Sequence, residues 1–108
     1  MSELADLTMD YRAGFQRYLP NHSEAALTQG YQLGRRAVVT GVSLLDLIQV
    51  HHQILGEVLE ETTREEIRDV TAAAGEFLLE VLSTFDMAHR RLRASASTPN
   101  RVTDAQID

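Results

Sequence analysis

"TREEIRDVTAAAGEFLLEVLSTFDMAHRRLR", residues 63–93, contains no proline and a single glycine. Its apolar residues Ile67, Val70, Ala74, Phe77, Val81, Phe85, Ala88 and Leu92 recur at intervals of three and four, joined by Leu78 and Leu82. That rhythm keeps one face of a helix apolar for about seven turns, or roughly 40 Å at 1.5 Å per residue. Thr63 followed by Glu66 reads as a capping box that opens it. A helix of this length with one apolar stripe must be covered by other helices, so this segment decides the fold.

Three shorter helices precede it. Leu4, Leu7, Tyr11, Phe15, Tyr18 and Leu19 share one face of a segment from Glu3 to Leu19, which Pro20 stops. Asn21 or Ser23 can cap a second helix over Glu24–Val39, whose narrow apolar face sets Leu27, Tyr31 and Val38 beside Gly30 and Gly34. Two glycines one turn apart on a packed face predict close approach of another helix, because each costs roughly 1 kcal/mol relative to alanine in helix propensity. Gly41 fits the left-handed residue after that helix. Ser43, with Asp46 three residues on, starts a third running to about Glu61. No strand is predicted. The expected fold is all-α, a four-helix bundle over residues 1–93 with a long C-terminal helix, followed by a linker or tail over 94–108 that is small, polar and broken by Pro99.

The long helix outruns its neighbours, which span roughly 25 Å each by the same rise. Its surplus stripe calls for a second copy of the chain, so a two-fold homodimer is expected, with Phe77, Leu78, Val81, Leu82, Phe85 and Leu92 in the interface.

Bulk composition narrows the function. The 108 residues suit one domain, and with 44% hydrophobic and 24% charged residues they suit a folded one. No cysteine is present, which excludes disulfides and thiolate metal sites and fits a cytoplasmic protein. The N-terminus is acidic without an apolar core, unlike a signal peptide, and no apolar run approaches the roughly 20 residues that span a bilayer. The net charge is −6 and every basic residue is arginine. Such a balance disfavours nucleic-acid or anionic-membrane partners, which need clustered cations. The basic run His89–Arg93 suits the C-terminal end of a helix dipole.

Catalytic signatures are missing: there is no phosphate-binding glycine loop and no nucleophile elbow. Asp86 and His89 give one carboxylate-x-x-His pair, but the inward carboxylates that complete a di-metal site are not evident. No cofactor, metal or catalytic residue is expected, and the chain reads as a non-enzyme.

One stretch invites a chemical reading. "HQILG" at His52–Gly56 is similar to the H-x-L-K-G motif of histidine phosphotransfer domains, also helical bundles, in which an exposed imidazole accepts a phosphoryl group beside a cation. Here Leu55 stands in the lysine position and Ile54 intervenes, so phosphotransfer through His52 is the alternative rather than the leading function. On a helical wheel started at Leu44, Ile48, His51, Leu55, Val58 and Leu59 fall in the apolar arc. His51 is then a packing residue satisfied by a neighbour, and His52 lies on the arc's margin beside Leu45.

Three stretches together suggest a family. "YRAGFQRYL" at 11–19, the Y-x-L-G-R run at Tyr31–Arg35 with the L-L-D-L stretch ahead of the paired histidines, and "EFLLEVLSTFDMAHR" at 76–90 resemble the N-terminal regulatory domain of RsbU-type phosphoserine phosphatases. That helical fold is shared with the C-terminal domain of the clock protein KaiA. The resemblance covers Tyr11 to Arg93 and implies a dimeric protein-binding module. By that resemblance the module is expected to dock a switch kinase of the RsbT type and to control a PP2C-type phosphatase, or another output domain, in a bacterial stress-response pathway of sigma-factor regulation. A partner-binding surface formed by Arg35 and Arg36 of the second helix with Gln49 and His52 of the third is expected from their exposed positions.

Overall fold

The computed structural model describes the backbone of residues 3–107 and the side chains of residues 3–94. Its elements are α1 (Glu3–Tyr18), α2 (Glu24–Thr40), α3 (Leu44–Glu60), a short 3-10 turn (Arg64–Glu66) and α4 (Ile67–Ile107). No strand occurs among the described residues. The expected four-helix bundle with a long last helix is what forms. The linker or tail read over 94–108 falls, beyond Ala94, outside the residues whose side chains are described.

Local signals set most boundaries. Ser23 caps α2 by accepting from the Ala26 N–H at 3.2 Å, and Ser43 caps α3 by accepting from the Asp46 N–H at 3.0 Å. Gly41 closes α2 at φ 80°. Its own N–H donates to Val38, and Val42 N–H reaches back to the Ala37 carbonyl at 2.9 Å. The Thr63 box does not form. Its side chain makes no capping bond, and the chain enters α4 through the 3-10 turn, with Glu66 N–H donating to the Thr63 carbonyl at 3.0 Å. A tighter first turn satisfies that donor from the backbone, which removes the need for the hydroxyl.

Around the bundle the order is α1, α2, α4, α3, with α2 against α4 as the most extensive contact and α2 and α3 on one diagonal. Glycine makes the α2–α4 contact possible. A Cβ on Gly34 would collide with the Val81 carbonyl oxygen and stand 2.9 Å from the Phe85 nitrogen, whereas one on Gly30 would meet only side chains, at 3.4 Å. Phe77 fills the centre. Its ring meets Tyr11 edge-on at 5.3 Å and lies 6.0 Å from Phe15 and 5.9 Å from Tyr18.

Two faces are rotated from the sequence reading. In α2 the buried residues are Ala26, Gly30, Leu33, Gly34 and Ala37, and Tyr31 is exposed. Close packing against α4 selects the smallest side chains, so the larger ones move to the groove edges. In α3 the buried positions are Leu47, Val50 and Ile54, while Leu44 and Ile48 are exposed.

Candidate functional site

The paired histidines separate by environment. His51 faces α1, where its Nδ1 and the Tyr11 hydroxyl form a 2.8 Å hydrogen bond. The rings meet edge-on at 5.9 Å. Burial lowers the His51 pKa, with the neighbouring His52 adding to the effect, and burial raises that of the Tyr11 phenol. A half-buried imidazole sharing a hydrogen bond with a buried phenol is a structural pair. His52 and Gln49 are exposed, and Leu55, in the position a phosphotransfer motif gives to lysine, packs against the core.

A second polar network was not apparent in the sequence. Glu76 Oε1 accepts from the Tyr18 hydroxyl at 2.7 Å and pairs with His22 Nδ1 at 3.0 Å. His22 adopts φ 50° just beyond α1, stacks on Tyr18 at 4.9 Å, and brings Nε2 to 3.8 Å from Asp69 Oδ1. The Tyr18 phenol is pushed up to about 12, first by burial and then by its bond to Glu76. Positions 18 and 76 are joined only because α1 ends where α4 begins, so no sequence spacing announces them.

The four residues read as one partner surface do not come together. Arg35 and Arg36 lie on α2, Gln49 and His52 on α3, and those helices are the diagonal pair. Arg36 is moreover committed to α1 through a 2.6 Å ion pair with Asp10, and its Nη2 is buried without a hydrogen-bond partner. Arg35 instead lies along the exposed Tyr31, with its guanidinium 5.9 Å from the ring centroid and Nη1 donating to the hydroxyl at 3.3 Å.

The dimer residues are also redistributed. Phe77 and Val81 are completely buried within one chain, and Phe85 nearly so, because α1 and α2 already cover that stripe. Leu78 and Leu82 are half-buried. Only Leu92, 56% exposed, retains a large free surface among the six.

One group of exposed apolar residues lies at one end of the bundle, where α2 stops, α3 starts and α4 continues past both. Val39 (79%), Leu45 (67%), Met87 (60%) and Leu92 are exposed there, with Leu44 and Ile48 beside them. Two grooves share Val38 and Leu92. One, of about 450 Å³, runs between Tyr31–Val39 of α2 and Thr84–Leu92 of α4. The other, of about 690 Å³, lies between the α2–α3 turn and α4, against Phe85 and His89. Contiguous exposed apolar surface of this kind marks an interaction site.

Among the described residues no three His, Asp or Glu side chains are grouped to hold a metal, and no helix is long and apolar enough to cross a membrane. Fold and surface define an all-helical bundle with exposed apolar residues gathered at the end where α2 meets α3. The family model for the N-terminal domain of the phosphoserine phosphatase RsbU matches residues 9–88, most of the chain, and the protein belongs to that family. It corresponds to the regulatory domain and not to the catalytic phosphatase domain. No curated protein and no solved structure gives a significant match.

Proposed function

We propose that this chain is a dimeric, protein-binding regulatory module that docks a switch kinase of the RsbT type, or a similar signalling partner. Through that docking it controls a PP2C-type phosphatase or other output domain in a stress-response pathway. Family membership supports the regulatory role. The observation that carries the binding role is the concentration of exposed apolar residues at one end of the bundle, around Val39, Leu45, Met87 and Leu92. Such residues are costly in water and are retained where another surface covers them.

The same end supplies a route for output. Partner binding that changes how two copies of α4 cross near Leu92 would be transmitted along α4, a continuous helix past that point. Light scattering at high micromolar concentration tests the dimer: a two-chain mass is expected, and a stable monomer would overturn it. Calorimetric titration with an RsbT-type kinase tests docking. Saturable heat is expected, and weaker binding by Met87→Asp would place the partner at the apolar end; a flat titration would remove the docking function.

A further inference from the structure

The groove between α2 and α4 has an unusual rim. Among the described residues Arg35 and Arg91 both line it, and no carboxylate does. Among the described residues Arg35 hydrogen-bonds and stacks on Tyr31 and pairs with no carboxylate, while Arg90, next to Arg91, is the residue that pairs with Asp86, at 3.1 Å. In a chain of net charge −6, two guanidinium groups left without a carboxylate beside an apolar floor form a local field of opposite sign to the rest.

Register fixes their spacing. Gly30 faces Phe77 and Val81, and Gly34 faces Val81, Thr84 and Phe85, so α2 and α4 run parallel. That sets Arg35 about level with Thr84, seven residues before Arg91, an axial offset of about 10 Å. Two carboxylates at positions i and i+7 of a helix are also about 10 Å apart and lie on nearly the same face. The residues at i+3 and i+4 fall between them on that face, where the groove floor of Val38, Met87 and Ala88 would receive apolar side chains.

We propose that the α2/α4 groove docks an amphipathic helix of a partner protein, with two carboxylates seven residues apart directed to Arg35 and Arg91 and apolar residues between them filling the groove. The proposal rests on the reading of the chain as a protein-binding module and specifies the chemistry of what it binds. A second copy of the chain does not supply this ligand. Among the described residues only Glu3/Asp10 and Asp69/Glu76 have that spacing. Each pair brackets a core residue, Leu7 or Ala73, and Asp10 and Glu76 are already paired with Arg36 and with Tyr18 and His22.

The test uses the full chain and two synthetic helical peptides of about four turns. One carries glutamates at i and i+7 around two leucines, and the other has lysines in place of the glutamates. Fluorescence anisotropy should show the glutamate peptide binding about tenfold more tightly, at low salt, and the order should invert in Arg35→Glu/Arg91→Glu. Both arginines are exposed, so circular dichroism should report an unchanged fold. Equal affinity for the two peptides, no binding of either, or a preference that survives charge reversal would overturn the proposal. So would loss of self-association in the double variant without any peptide preference, which would assign the groove to a second copy. Each of these results would leave the module reading intact if the RsbT-type titration still saturates.

Discussion

Gly34 of α2 lies directly against the Val81 carbonyl of α4, so close that the site has no room for a β-carbon. Two of the atoms that a methyl would meet, the Val81 carbonyl oxygen and the Phe85 nitrogen, are backbone and cannot rotate away.

Gly34→Ala should therefore destabilise the bundle by about 2 kcal/mol or more, since overpacking outweighs the gain in helix propensity. Gly30→Ala meets only side-chain atoms at 3.4 Å and should be neutral or stabilising by up to about 1 kcal/mol. Urea unfolding of the two variants measures the contrast. Equal effects would mean that α2 and α4 are not in this register.

The Tyr11–His51 pair gives the chain a pH dependence. Burial holds the folded His51 pKa below the ordinary 6.5, so the unfolded chain takes up this proton first as pH falls. Stability present above pH 6.5 is then lost as pH drops from 6.5 through the folded value. His51→Gln should flatten that part of the stability profile, measured by chemical denaturation between neutral and mildly acidic pH. His52→Gln should leave most of the slope, because burial is the larger cause.

Tyr18 and Glu76 should be energetically coupled. Removing the carboxylate with Glu76→Ala leaves a part-buried hydroxyl without its acceptor and should cost about 1 kcal/mol. In the Tyr18→Phe background the same change should cost less, giving a coupling of at least about 0.5 kcal/mol in a double-mutant cycle. Strict additivity would show that the bond is not made in solution.

The helix starts offer a further contrast. Ser43→Ala removes a capping bond and should lower stability by about 1 kcal/mol, whereas Thr63→Ala, at a start without a side-chain cap, should change little. Thermal unfolding of the two variants distinguishes them.

By itself the sequence determined the number and type of helices, the cap at Ser43, the left-handed Gly41 and the close approach signalled by Gly30 and Gly34, and it narrowed the cap of α2 to Asn21 or Ser23. These are local matters: side chains bonding to their own first turn, or a missing β-carbon on a known face. It also separated His51 from His52, since neighbours on a helix point about 100° apart. Only the tertiary structure decided how far each helix is rotated about its axis. An amphipathic pattern tolerates several orientations, and the choice depends on which partners cover it. That rotation buried Phe77 and Val81 within one chain, exposed Tyr31 and Leu44, and split the expected Arg35, Arg36, Gln49 and His52 surface across a diagonal. It likewise joined Tyr18 to Glu76 and set Arg35 and Arg91 along one groove. Contacts between residues forty or more positions apart follow from how helices stack in space, and no local spacing encodes them.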